Sequence, residues 1–186
     1  MNFLYKIIAI LLMTNQAQAI EYNQFLIKES AVTFAYKQMG VPMQGKFGQF
    51  AAQLVFDPAS LNKAQAHLDV TLASIDTGST DADEEVVGKL WFNARTYPLA
   101  SFTSSGIQSL GGNRYQARGK LSIKGRTQEV LAPVTFKAIG NKAVFDGNFT
   151  IHRTAFAIGE GEWTDLGTVA DDVQIVFHLV VLASPK

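Results

Sequence analysis

Three histidines, His67, His152 and His178, and two acidic pairs, Glu160 with Glu162 and Asp171 with Asp172, are the side chains here whose types could shuttle a proton or hold a metal. The histidines fall at no ligand spacing. His67 and His178 sit inside alternating strand patterns, and all three are read as surface or hydrogen-bonded side chains. Glu160 and Glu162 lie beside Gly159 and Gly161, which marks them as polar loop residues. No Gly-x-Ser-x-Gly elbow, phosphate-cradling loop, dinucleotide fingerprint or His-Glu-x-x-His helix is present. The absence of cysteine removes disulfides, thiolate metal sites and thiol chemistry. The expectation is a binding protein and not an enzyme, with no catalytic residue, no metal and no obligatory cofactor.

The elements that would position any site are strands. From Phe25 onward apolar residues recur at every second position: Val32, Phe34 and Tyr36; Phe50, Ala52, Leu54 and Phe56; Ala66, Leu68, Val70 and Leu72. Gly40, Pro42, Gly45 and Gly48 are read as a turn or bulged region between the first two runs. Further alternation follows in Tyr115, Ala117, Gly119, Leu121 and Ile123, then Val130 to Ala138, then Phe145 to Ile151, then Val173 to Val181. Asp81 to Leu90 interrupts this as a helix, with Ser79 or Thr80 able to cap it and acids in its first turn. Val86 with Leu90 and Val87 with Trp91 would give it an apolar side. Tyr97-Pro98 forces extended backbone and ends the interruption. About eight strands joined by hairpin-length turns predict an all-β fold: a single antiparallel eight-stranded barrel with one short helical lid.

Two readings of the interior stand. Ala52, Ala66, Ala117, Gly119, Ala132, Ala138 and Gly147 alternate with bulky residues, which either leaves room for one slender ligand or lets the barrel taper and fill itself. Outside, Arg114, Arg118, Lys120, Lys124 and Arg126 form a basic stripe, read as a solvated face or as a contact for anionic lipid heads or a partner.

Residues 1–19 have the form of a cleaved signal peptide: Lys6, a short apolar run from Ile7 to Met13, and Ala17-Gln-Ala19. Export to the periplasm follows as an expectation, with residues 20–186 forming one domain. Sixteen basic and sixteen acidic side chains give no field to attract nucleic acid.

Several segments together resemble the YceI-like family of exported, lipocalin-like proteins associated with polyisoprenoid binding. They are Ser74-Ile-Asp76-Thr-Gly78, Phe92 with Tyr97-Pro98 and Phe102-Thr-Ser104, and Gly119-Lys-Leu121-Ser-Ile123-Lys-Gly125-Arg-Thr127-Gln-Glu-Val130. Arg153-Thr-Ala-Phe156-Ala-Ile158-Gly159, Trp163 and Asp172-Val-Gln-Ile175 complete the order. Two places depart from the pattern. Tyr36-Lys37-Gln38 stands where many members carry a basic residue and a histidine, and Asp83-Glu84-Glu85 where many carry Arg-Asp, which bears on head-group preference.

The resemblance implies a carrier enclosing a long apolar isoprenoid or related lipid, such as a polyprenyl phosphate or a quinone tail. The residues expected to line it are Phe34, Tyr36, Leu54, Leu68, Val70, Phe102, Leu121, Val134, Phe136, Phe149 and Phe177, with Trp91 and Tyr97 near the entrance. Plain core packing is the competing role for each. The expected partner is an isoprenoid or other long-chain lipid, with a membrane or redox-protein partner and a homodimer as further expectations. The alternative is a filled scaffold that binds a membrane or protein through its basic face.

Overall fold

Backbone pairing follows the alternating runs and gathers them into one curled antiparallel sheet. The structure, a computed structural model, describes residues 20–185; the leader expected at residues 1–19 lies outside them. The strands are β1 (Ile20–Phe25), β2 (Ala31–Gln38), β3 (Val41–Phe47), β4 (Phe50–Val55), β5 (Gln65–Thr71) and β6 (Ile75–Asp76). The helix α1 (Thr80–Val86) precedes β7 (Leu99–Gly111), β8 (Arg114–Ile123), β9 (Arg126–Ile139), β10 (Lys142–His152) and β11 (Asp172–Pro185). The sheet order is β4-β5-β7-β8-β9-β10-β11-β2-β3-β6, with β1 added on β11.

The all-β, lipocalin-like class is as expected, but there are eleven strands where eight were predicted. The additions are β1, the two-residue β6, and β3, whose glycines and proline read locally as a turn or bulged region. Pro42 is tolerated because β6 pairs only with Lys46 and Phe47, which leaves the outer side of β3 free of ladder bonds at Pro42. Gly45 lies under the ring of Phe34, where a β-carbon would sit 2.2 Å from Phe34 Cζ. Only Met39 and Gly40 form the turn itself, both at positive φ, as a two-residue hairpin requires.

Closure also differs from a continuous ladder. β4 and β6 end the hydrogen-bonded path, and the seam is spanned by the chain, because β3 runs through Gly48 and Gln49 straight into β4. That corner is pinned by Gly48 N–H on Ser74 O (2.8 Å) and Gln49 N–H on Ser74 Oγ (2.9 Å).

The helix is shorter than the Asp81 to Leu90 predicted. β-branched Val86 and Val87 followed by Gly88 end it, and Leu90 and Trp91 fall in the turns beyond. Ser79 occupies the cap position without a side-chain bond. Thr77 instead donates from N–H and Oγ1 to Asp83 Oδ1, both at 2.7 Å, and ties the helix to the strand before it.

Two apolar clusters fill the ends of the curl. At one end Phe56 is ringed by Tyr115, Phe136 and Phe145, with centroids 5.1, 5.2 and 5.1 Å away. Each such aromatic pair contributes about 0.5–1.5 kcal/mol beyond the area it buries. At the other end Trp91, Leu121, Ile123, Ile151, Phe156, Ile158 and Val169 pack together, and Val86 of α1 leans on them.

The small residues do not all create space. The ring of Phe102 covers Gly119 and that of Phe177 covers Gly147, where added β-carbons would come within 2.5 and 2.3 Å of those rings. Ala138 faces solvent. The basic stripe is not uniform either. Arg118 pairs with Glu129 in the open, a contact of little energetic consequence. Lys124, at φ 49° in its turn, is folded over the end of the barrel. Its Nζ donates to Ala157 O (2.6 Å) and Glu160 Oε2 (2.8 Å), and its side chain is 7% exposed.

Candidate functional site

A cavity of about 480 Å³ lies inside the curl, and its walls draw on both apolar clusters, so it extends from one toward the other. That volume falls in the range of small-molecule sites. Alternation places one residue in two on this surface. Phe34 and Tyr36 come from β2, Leu54 from β4, Leu68 and Val70 from β5, and Phe102 from β7. Leu121 comes from β8, Val134 from β9, Phe149 from β10 and Phe177 from β11, with Trp91 from the turns after α1. Ala52, Ala66, Ala117 and Ala132 supply the width.

Two of the predicted lining residues lie elsewhere. Phe136 is drawn into the aromatic cluster at the far end, against Tyr22, Phe56 and Phe145, because its cross-strand partner on β10 is Phe145. Tyr97 is 37% exposed and lies over the Lys124-Gly125 turn, where a β-carbon on Gly125 would be 2.9 Å from its ring. Trp91, expected at the entrance, is buried.

The polar part of the lining is concentrated around α1: Gln38, Thr77, Ser79, Asp81 and Glu85. Ser79, Asp81 and Glu85 are exposed, so the cavity meets solvent on this side. Tyr36 lies just inside, and burial followed by the nearby Asp83 charge pushes its phenol pKa up, which keeps it neutral. His67 is in the wall, with its ring nitrogens 2.9 Å from Thr103 Oγ1 and 3.0 Å from Asp69 Oδ2. His178 pairs with Asp146 and His152 with Asp172 on the surface. Among the described residues no group of three or more potential ligands could hold a metal ion.

Two residues that carry this end of the site stand out in the sequence only as members of longer motifs. Arg153 is 1% exposed. Its Nε donates to Ala170 O (3.2 Å) and Val169 O (3.3 Å), Nη1 to Ile158 O (2.8 Å) and Gly159 O (3.2 Å), and Nη2 to Trp163 O and Val169 O (both 2.8 Å). One guanidinium thereby fixes the whole 153–171 segment against the barrel, and it also lies 5.6 Å from the centroid of Trp91. Burial pushes its pKa down while the Asp171 charge opposes that. A lone arginine in a strand-to-loop step gives no sequence signal for this role, since its acceptors are main-chain carbonyls.

Trp163 is the second. Its ring centroid is 5.3 Å from that of Trp91, and both rings belong to the cavity wall. The indole nitrogens of Trp91 and Trp163 are both buried without a hydrogen-bond partner among the described residues. An unpaired buried donor costs about 1–3 kcal/mol.

Two carboxylates hold the same segment from outside. Asp165 is held low by the Gly167 N–H and the Thr168 hydroxyl. Burial would raise Asp171, but hydrogen bonds from Thr154 N–H and Oγ1 outweigh it, and its pKa is also lowered. A folded pKa below the unfolded value, near 3.9, adds stability above that value and loses it as pH falls through the folded pKa. Hydrogen-exchange protection factors in 153–171, corrected for the intrinsic pH dependence of amide exchange, should therefore be unchanged from neutrality to about pH 5 and should fall below about pH 4. Protection factors independent of pH across that window would remove the two carboxylates as fasteners.

Known proteins give the same picture. A solved structure of Burkholderia cenocepacia BcnA is 46% identical, covers 84% of this chain and 99% of its own, and superposes with a TM-score of 0.82. A Campylobacter jejuni YceI protein is 21% identical, with coverage of 76% and 84% and a TM-score of 0.64. A polyisoprenoid-binding domain from Saccharophagus degradans is 14% identical, with coverage of 90% and 99% and a TM-score of 0.66. The last two establish likeness of fold. A UPF0312 protein of Azotobacter vinelandii is 26% identical over 179 residues, which is 91% of this chain and 90% of that protein. The YceI-like domain matches residues 25–181, nearly all of the sheet and the whole cavity, and the chain therefore belongs to the YceI-like family.

Proposed function

We propose that this protein is an exported carrier that encloses the chain of an isoprenoid or related long-chain lipid, with the polyprenyl phosphates and the quinones as the two head-group classes. The observation that carries this is the cavity, walled almost wholly by aliphatic and aromatic side chains and open beside α1. Burial of each methylene contributes about 0.8 kcal/mol, so a long chain is held with few polar contacts. The polyisoprenoid binding named for the Saccharophagus degradans domain of similar fold supports the ligand class. Export to the periplasm rests on the form of residues 1–19. The site residues act by desolvation and shape, which is binding and not turnover.

The scaffold alternative needs a filled interior and a free basic face. The cavity speaks against the first, and the burial of Lys124 against Ala157 O and Glu160 speaks against the second at that position.

Organic extraction of the purified native protein followed by mass spectrometry is expected to release a prenyl lipid in near-stoichiometric amount. No lipid in the extract, together with no uptake of added isoprenoid, would overturn the proposal.

A further inference from the structure

Resting on the lipid-carrier reading, we infer that the lip of the cavity beside α1 docks on the electrically neutral surface of a lipid bilayer, with Met39, Val41 and Leu166 as the groups that enter it. The lip is built from two segments. One is the β2–β3 hairpin, in which Gln38 lines the cavity and Val41 is its cross-strand partner. Side chains alternate along a strand, so Val41 shares the inward side of β3 with Phe47, which also lines the cavity. Val41 is nonetheless 57% exposed, so the hairpin carries the apolar wall past the packed barrel into solvent. The other segment is the loop before β11, whose Thr168 O accepts from Met39 N–H (2.9 Å) and whose Val169 bridges to Gln38. Leu166 on this loop is 50% exposed.

The tip of the hairpin adds a second, independent observation. Met39 and Gly40 have φ of 51° and 79°, in a two-residue turn that favours Asn-Gly or Asp-Gly. A methionine there is strained by its β-carbon, and at 76% it is the most exposed large apolar side chain among the described residues. Neither turn geometry nor packing gives a reason for it. A flexible, unbranched apolar chain at the mouth of a lipid cavity fits insertion among acyl chains. Charge decides which surface is met. Asp81 and Glu85 of α1 and Asp165 of the loop are exposed around the mouth, with Lys37 on the outer side of β2. An anionic surface would meet like charge, so apolar insertion makes the contact and acidic head groups weaken it. A bilayer suits the lip better than a protein partner because it holds the chain to be loaded. Docked there, methylenes pass from bilayer to cavity without being exposed to water.

The test is vesicle flotation with purified, delipidated protein. Phosphatidylcholine vesicles should carry the protein, and mixing in phosphatidylglycerol should weaken the binding at low salt. Met39→Asn suits the turn and should keep or raise the melting temperature. It should nevertheless lower vesicle affinity about tenfold or more, as loss of one inserted apolar side chain requires. Leu166→Gln should lower affinity to a similar degree. Both variants should slow uptake of squalene from vesicles and leave uptake of squalene added from ethanol unchanged, since neither side chain lines the cavity. Failure of the parent protein to float, equal flotation of Met39→Asn, or tighter binding to the vesicles containing phosphatidylglycerol would overturn the docking inference. Uptake of squalene from ethanol would then leave the carrier reading standing. Flotation that is weakened by Met39→Asn, with no squalene taken up by either route, would instead uphold the docking and count against the carrier reading.

Discussion

Arg153→Ala is expected to remove on the order of 3–5 kcal/mol of stability, since each buried carbonyl left without its donor costs about 1–3 kcal/mol and water entering the gap recovers part of the total. The reason is the asymmetry of hydrogen-bond energetics. The guanidinium gives modest net energy while paired, but its loss strands the carbonyls of Ile158, Gly159, Trp163, Val169 and Ala170 at once. Against a total stability of roughly 5–15 kcal/mol for a domain, that is a large fraction. Arg153→Lys should recover little of it, since three donors on one nitrogen cannot reproduce a planar fork that reaches five carbonyls. Urea denaturation followed by circular dichroism measures the loss. Hydrogen exchange should place its first effect in 153–171, with Trp91 losing the cation beside its ring. A loss below about 1 kcal/mol would show that the segment is held by its apolar contacts, through Phe156 and Ile158, and not by the arginine.

Ala117→Phe should abolish lipid retention while leaving the fold intact. Ala117 is 6% exposed in the middle of β8 and directly opposite Ala132 on β9, and both side chains face the cavity. Their facing methyl groups set the local width. A phenyl ring at this position grows into the cavity and not into packed neighbours, so its cost to stability should stay at the low end of the 1–3 kcal/mol typical of overpacking. Displacing even two methylenes of a bound chain costs about 1.6 kcal/mol, more than tenfold in affinity, and a ring displaces more. Extraction and mass spectrometry of the variant should yield little prenyl lipid, with a melting transition within a few degrees of the parent. A full complement of lipid in Ala117→Phe would mean that the chain does not pass this section of the barrel.

The two variants separate what is held by packing from what is held by polar geometry, and the same division runs between what the residues announced and what they concealed. Strand periodicity was legible because an inward position on a curled sheet must be apolar at every second residue. That placed Phe34, Leu68, Phe102 and Phe177 on the cavity wall. The helix start at Ser79-Thr80 was legible because acids gather at the positive end of a helix, although Gly88 stopped it earlier than its apolar spacing suggested. β3 was hidden because Gly45 and Pro42 read locally as turn signals. Gly45 serves instead as floor for the ring of Phe34, which is eleven residues away in sequence, and Pro42 lies where no neighbouring strand pairs.

Residue alternation by itself determined which side of each strand faces inward, and hence the class of fold and an apolar interior. Only the tertiary structure decided which inward residues meet each other. It spent Phe136 on the end cluster, put the rings of Phe102 and Phe177 over Gly119 and Gly147, and left the four alanines to bound open space. It also brought Arg153, Trp91 and Trp163 together at one end of the cavity. The physical reason is that burial of apolar groups depends on local pattern, which a strand period encodes. Pairing of polar groups depends on partners distant in sequence, here main-chain carbonyls that every residue carries and no residue type marks.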